Sequence, residues 1–479
     1  MSVVRRRPTM EETNTMHHVH QKMFKIDMLH GSLWDKIPLF ALPVAATVIL
    51  EQLFLASDLA VVGHFSGDAN TIAVAGIGAN IPIIGLILNL FIGLALGVNV
   101  VIANAIGRKD RLTVTHTVHT AVVMALVIGV AVSLIGEVVA APLLGSLNVP
   151  DDVLPSAVLF LRIYLLGLPV IMLYNFESSI FRSVGDTRMP LKVLIVSGLV
   201  NVILSLFFVA VLDLHVAGAA LATVTANAVS AGVLFRLLMR PHRYIQLKVN
   251  DIGIHWDCVR SVIAIGLPAG VQSGVFTLAN IVIQAAINSL GTNAIAASAA
   301  AFNLEMITYD LLNSFSQACT TFVGQNYGAG QLDRCRRIFK IALFEDIIAS
   351  VAAVFLIFSF GPFLLSLFSP DPAVIELGML RLKMVFFAYV FTVLYENMSG
   401  YMRGFGISLL PAAITTISIC GSRLFWIFVV FPMHRDFYWI MMAYPVSLAV
   451  TAVCIFALLL WYRPAHRLGH GTEKLAYEG

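Results

Sequence analysis

Long apolar runs separated by short polar breaks set the pattern of this chain. A helix needs about 20 apolar residues to cross about 30 Å of hydrocarbon. Twelve stretches meet that length. The first half holds 37–64, 72–105, 115–145, 154–184, 188–212 and 215–239, and the second holds 259–290, 294–327, 336–368, 373–403, 408–431 and 437–462. Several exceed a minimal span, which predicts tilt or a kink. Pro43 and Pro268 fall inside their helices and supply a mechanism for bending. The pattern predicts an all-α polytopic membrane protein with twelve transmembrane helices.

Composition agrees. Hydrophobic types make up 59% of the 479 residues and charged types 12%, about half the charged share of a soluble domain. Mean hydropathy is +0.88. A disordered chain, a nucleic-acid-coating protein and a fully soluble enzyme are thereby excluded as classes. The five cysteines are scattered without a CxxC pair, so they read as small hydrophobes rather than disulfides or zinc ligands. The first apolar run follows about 35 polar residues, later than a secretory signal would start. That segment carries Arg5, Arg6, Arg7 and His17, His18, His20, and it reads as a solvated tail rather than a metal site.

Charge placement sets the orientation. With the N-terminus in the cytoplasm, internal loops carry Arg108, Lys109, Arg111, then Arg240, Arg243, Lys248, then Arg334, Arg336, Arg337 and Lys340. External loops hold Arg435 and the acids Asp68, Asp151, Asp152, Asp213, Asp371 and Asp436. Both ends are therefore expected in the cytoplasm of a multi-pass cell-membrane protein. The basic stretch near 240–258 divides the chain almost equally. The expected organisation is a tail 1–35, an N-lobe 36–240, a linker 241–258, a C-lobe 259–462 and a tail 463–479.

The halves resemble each other. At a constant offset of 221, Arg162 aligns with Lys383, Tyr174 with Tyr395, Ser178 with Ser399, Arg182 with Arg403, Gly185 with Gly406, Pro190 with Pro411 and Gly107 with Gly328. Pro43 meets Pro268 at a slightly different offset. Each repeat has six spans, so both enter the membrane in the same direction. Two pseudo-symmetric six-helix bundles related by an axis along the membrane normal are expected, a design common in secondary transporters. No Walker motif is present, so ATP drive is not expected.

Several stretches carry a family resemblance: "LPVAATVILEQLFLASDLAVVG" in the first span, "FRSVGDTRMP" after the fourth, "NVILS" in the fifth, "GAALATV" in the sixth and "FVGQNYGAGQLDR" after the eighth. Together they resemble the multidrug and toxic compound extrusion (MATE) family over nearly the whole chain. The resemblance implies an antiporter that expels cationic amphipathic compounds while protons or sodium ions run inward.

A carboxylate within a bilayer costs on the order of 3 kcal/mol unless paired, solvated or protonated. Asp58 lies about 20 residues into the first span, towards the outer leaflet. The resemblance assigns the family's first-helix aspartate, which Asp58 matches, to ion or proton binding. Glu51 is two turns earlier on the same face, so the pair is expected to share a cavity and to act as a proton relay. In sodium-coupled relatives polar groups of the fifth and sixth helices join the aspartate, and Asn201 and Thr223 match them. Where that branch often has a second aspartate, this chain has Ser205. That weakens a two-acid sodium site and leaves proton coupling open. A seventh-helix glutamate found in another branch is replaced by Phe276.

In the C-lobe, Glu396 and Arg423 are a buried acid and base, expected to approach each other or share waters. Glu305 and Asp310 are five residues apart on the eighth span, and at least one is expected at a central cleft. Glu177 reads as an interfacial acid that snorkels or bonds a loop. Phe386, Phe387, Tyr389 and Phe391 include aromatics able to stack on a flat cation, although most are expected to pack. Gly93 and Gly97 read as a close-packing pair.

The expected function is a rocking-bundle antiporter, monomeric, without a cofactor other than the transported proton or sodium ion, taking small cationic substrates and no nucleic acid. The alternative is a lipid-linked oligosaccharide flippase, which would line its cavity with basic residues. The intramembrane charges read as mostly acidic, with Arg423 the main exception. A scaffold or receptor would gain nothing from costly buried acids. An intramembrane enzyme is not expected, because no nucleophile–base or metal-ligand constellation is visible.

Overall fold

The computed structural model describes residues 26–65, 70–147, 149–241 and 244–467. Arg5, Arg6, Arg7, His17, His18, His20, Asp68 and Arg243 lie outside the described residues. The N-lobe contains α1 (Lys36–Phe65), α2 (Asn70–Gly107), α3 (Arg111–Ser146), α4 (Leu154–Leu166), α5 (Leu168–Ser183), α6 (Arg188–Leu206) and α7 (His215–Leu238). The C-lobe contains α8 (Trp256–Asn288), α9 (Thr292–Gly328), α10 (Leu332–Ser366), α11 (Pro372–Gly404), α12 (Leu409–Phe425), the short α13 (Phe437–Met441) and α14 (Ala443–Tyr462).

Ten helical stretches are each long and apolar enough to cross a membrane. The pair α4–α5, bent by 50°, forms an eleventh span. Gly167 sits at that break and Pro169 in the first turn of α5, where a missing N–H and a ring clash stop the helix continuing straight. The twelfth span is α9. It is 37 residues long but more polar than the others. It packs against α1, α2, α10 and α11, so protein rather than lipid surrounds most of its polar side chains, among them Glu305, Asp310, Thr320, Thr321, Gln325 and Asn326. The protein is an all-α, multi-pass membrane protein of twelve spans.

The pairing of helices shows the internal symmetry. The first span, α1, packs on the fifth (α6) and the eighth (α9), while the seventh, α8, packs on the eleventh (α12) and the second (α2). Where α2 crosses α8, an added methyl at Gly93 or Gly97 would collide with the backbone at Gly270 or Val262. Small residues here bring the backbones of opposite lobes into direct contact. At the end bearing the basic loops, the repeat mates Gly107 and Gly328 meet. A methyl on Gly107 would strike the Gln325 carbonyl, and one on Gly328 the Asn104 carbonyl.

Polar bonds tie the lobes at this basic end. Thr321 Oγ1 donates to Asn99 Oδ1 at 2.9 Å, and Gln325 Nε2 donates to the Ser183 carbonyl at 2.6 Å. Asn104 Nδ2 reaches the Gly404 carbonyl at 3.3 Å. The connection between lobes is also anchored. Lys248 N–H donates to His119 Nε2 at 3.0 Å, His255 N–H to Thr120 Oγ1 at 3.1 Å, and the His116 and His255 rings stack.

The stretch read as a solvated tail is folded where it is described. Ile26, Met28 and Leu33 are buried, and Asn326 Nδ2 and the Arg334 guanidinium both donate to the Met28 carbonyl.

Candidate functional site

The N-lobe holds an acid without a basic partner. Asp58 is buried on α1, near the end away from the basic loops. Thr223 Oγ1 of α7 donates to its Oδ2 at 2.7 Å, and Asn201 Nδ2 of α6 lies 3.3 Å from the same atom. Turning the Asn201 amide satisfies it better: its nitrogen then donates to Asp58 Oδ1 at 3.2 Å and its oxygen accepts from Thr223 N–H at 3.3 Å. Ser205, one turn beyond Asn201, lies close to the carboxylate, but its buried hydroxyl stops short of a hydrogen bond. The helix switches to a π segment at Phe207–Val211, two residues beyond Ser205, a local widening that often accompanies functional positions. Asp58, Asn201, Ser205 and Thr223 are therefore brought together.

Glu51 does not join them. It shares the face of α1 with Asp58, but seven residues of helix set the two about 10 Å apart. Glu51 is within electrostatic range of Tyr164, Tyr174 and Arg182 of the N-lobe, and of Asp310 on α9. It lies on the N-lobe side of the seam, apart from the hydrogen-bonded group around Asp58.

That seam contains a polar cavity of about 90 Å³, lined among others by Asn99, Arg182, Gln317, Thr321, Glu396 and Arg403. Arg182 Nη1 donates to Gln317 Oε1 at 3.2 Å across the lobes. Its repeat mate Arg403 donates to Ser316 Oγ at 3.2 Å and to Glu396 Oε2 at 3.3 Å. Tyr309 OH donates to Glu396 Oε1 at 3.4 Å.

Four further expectations need correction. Glu396 pairs with Arg403, on its own helix two turns away, and not with Arg423. Arg423 instead donates to Asn280 Oδ1 at 2.6 Å and Ser447 Oγ at 3.3 Å, with its guanidinium over the rings of Phe276 and Tyr444. Glu305 is not at the cleft: Arg381 Nε donates to its Oε1 at 2.7 Å and Nη2 to its Oε2 at 2.9 Å, a two-pronged pair sealed inside the C-lobe. Tyr389 lies in the same interior and donates to the Glu305 carbonyl at 2.9 Å, so it is no cleft aromatic either. Asp310 is the eighth-span acid near α1, approached by Gln52, with Oδ2 unpartnered. Glu177 does not snorkel: it is fully buried, with neither carboxyl oxygen bonded. Arg423 is not alone among the buried bases, since Arg381 and Arg403 are buried too, but among the described residues buried acids still outnumber them.

Arg381 and Asp346 escaped the sequence reading. A count of every charge inside an apolar span would have flagged both, since each is costly there without compensation.

Comparisons with known proteins agree with this fold. The MatE family model matches twice, over residues 43–207 and 268–429, one copy in each lobe. "Probable multidrug resistance protein NorM" of Thermotoga maritima is 27% identical over 80% of this chain and 82% of that protein. An "FAD transporter" of Shewanella oneidensis is 26% identical over 65% of this chain and 70% of that protein. A MATE family transporter solved in an outward-facing conformation superposes with a TM-score of 0.82 at 20% identity, covering 93% of this chain and 98% of that one. A transporter from Pyrococcus furiosus, reported with the words "reverse polarity of binding pocket", superposes with a TM-score of 0.81 at 20% identity, covering 91% and 96%. Two tandem family matches on two pseudo-symmetric bundles of transmembrane helices make the chain a member of the MatE family, whose members are membrane transporters and not enzymes.

Proposed function

We propose that this transporter is a cell-membrane antiporter that exports cationic amphipathic compounds while a proton or sodium ion enters through Asp58. The orientation proposed puts the basic end and both termini in the cytoplasm, and the working unit is one chain with lobes as expected from sequence, 36–240 and 259–462. The observation that carries this reading is Asp58 itself, a buried carboxylate contacted among the described residues by neutral donors alone. Such a charge is costly inside a bilayer. A proton or small cation removes the cost, and its release restores it. Ion occupancy thus changes the relative stability of the two openings, and cargo biases the same equilibrium the other way. The basic-end seam, bonded through Asn99, Gln325 and Asn104, is the closure that must part to open inward.

Export by proteoliposomes under an imposed pH gradient, and separately under a sodium gradient, identifies the driving ion. Asp58→Asn should abolish export under both while the protein still folds. Normal export by that variant overturns the assignment.

One observation favours a second reading, in which the cargo also carries an anionic group. Arg423 is a buried cation with no carboxylate partner, and one relative is named an FAD transporter. Export of a flavin nucleotide that is lost in Arg423→Leu, with export of a cationic dye kept, would select this reading.

A further inference from the structure

The C-lobe contains a second buried carboxylate that, among the described residues, bonds no basic group. Asp346 lies on α10 and is fully buried. Asn397 Nδ2 of α11 donates to its Oδ2 at 2.5 Å, and Ser350 Oγ, one turn along α10, donates to its Oδ1 at 3.2 Å. The titratable groups within electrostatic range of it are Glu396 on α11 and the Cys319 thiol on α9. The nearby cation, Arg403, is in range of Cys319 and pairs with Glu396 rather than with Asp346.

Asn397 adds an independent observation. It is fully buried, and its Oδ1 has no hydrogen-bond partner. That oxygen is bonded to the same carbon as the nitrogen donating to Asp346. An unfilled lone pair and a carboxylate edge therefore share one small volume. Asn80, Asn104 and Asn326 carry the same open Oδ1, but their amides bond backbone carbonyls, and of the four Asn397 alone donates to a buried carboxylate. If Asp346 binds a proton, Ser350 Oγ, 3.2 Å from Oδ1, can accept it, while the amide stays in place because Nδ2 also donates to the Val393 carbonyl at 3.0 Å. If a sodium ion enters, Oδ1, the carboxylate and the Ser350 hydroxyl supply three oxygens.

We propose that Asp346, Asn397 and Ser350 form a second exchangeable site for a small monovalent cation, a proton or sodium ion, in the C-lobe. The site lies towards the basic end. Phe344, two residues earlier, packs edge-on against Trp34, just ahead of α1. Asp58 lies towards the other end of the other lobe. Glu396, next to Asn397, lines the interlobe cavity and offers a polar route from that cavity to Asp346. The inference goes beyond the Asp58 reading and does not rest on it.

The test is infrared difference spectroscopy of full-length protein in lipid nanodiscs, labelled with carbon-13 aspartate, across a pH step with and without sodium. The expected result is a carboxylic-acid carbonyl band that disappears in Asp346→Asn and persists in Asp58→Asn. In Asn397→Leu, which keeps the acid, the band should move in frequency. A band suppressed by sodium assigns sodium exchange, and one unaffected by it assigns proton exchange. A spectrum identical to wild type in both Asp346→Asn and Asn397→Leu overturns the proposal, whatever becomes of the Asp58 signal.

Discussion

The two lobes build the same cup and fill it with opposite charge. In the N-lobe, the first, fifth and sixth spans bring together Asp58, Asn201 and Thr223. In the C-lobe, the equivalent seventh, eleventh and twelfth spans bring together Asn280, Arg423 and Ser447. A π segment follows the key polar residue on both, at Phe207–Val211 and Trp426–Val430. Duplication preserved the backbone device while the side chains diverged. The lesson concerns compensation. Arg423 lies against two aromatic faces, which stabilise a fixed cation. Asp58 has hydroxyl and amide donors only, which favour its charge without cancelling it.

Paired and unpaired charges should respond differently to substitution, and thermal unfolding in detergent measures the contrast. The largest effect is expected at the closed pair. Arg381→Leu strands Glu305 in the C-lobe interior and should cost about 3–5 kcal/mol, with much of the loss recovered by adding Glu305→Gln. Arg423→Leu strands no acid and should change stability by less than about 2 kcal/mol. A loss as large as that of Arg381→Leu would mean that a hidden carboxylate balances Arg423. Asp58→Asn should shift stability by no more than about 1 kcal/mol, because the amide fits the same cup without a charge. A large loss there would make Asp58 a structural residue.

The smallest contrast lies at equivalent loops of the two repeats. Asp110 caps α3, accepting from Thr113 Oγ1 at 2.6 Å and Thr113 N–H at 3.0 Å. Its mate Gln331 precedes α10 and makes no side-chain cap. Asp110→Ala should cost about 1 kcal/mol, and Gln331→Asp should gain a similar or smaller amount. The Thr113 bonds hold the Asp110 carboxyl below the usual carboxylate range. The cap's contribution is therefore complete above about pH 4, the unfolded-chain value, and fades as pH falls through the lowered native value. A difference between wild type and Asp110→Ala that is unchanged in acid would refute this.

Spans and repeat were legible because each is written in consecutive residues. Apolar length predicts a crossing and a constant offset exposes a duplication, whereas the 50° break at Gly167 was not among the expected bends at Pro43 and Pro268. The Asp58 cup was legible through the motifs that resemble the family. Charge partners were not. Glu396 and Arg423 looked like natural mates as a buried acid and base of the C-lobe, yet Arg403 pairs with the first and aromatic rings serve the second.

The linear order of residues alone determined that this chain is a twelve-span membrane protein of two like halves, because the cost of bare backbone and bare charge in hydrocarbon acts locally along each segment. Tertiary structure decided which charges meet. Helix rotation and crossing place residues from distant spans within a hydrogen bond, as with Arg381 and Glu305 or Asp346 and Asn397. A shift of one residue along a helix turns a side chain by about 100°, and no spacing rule within a single segment can specify that angle against a neighbour.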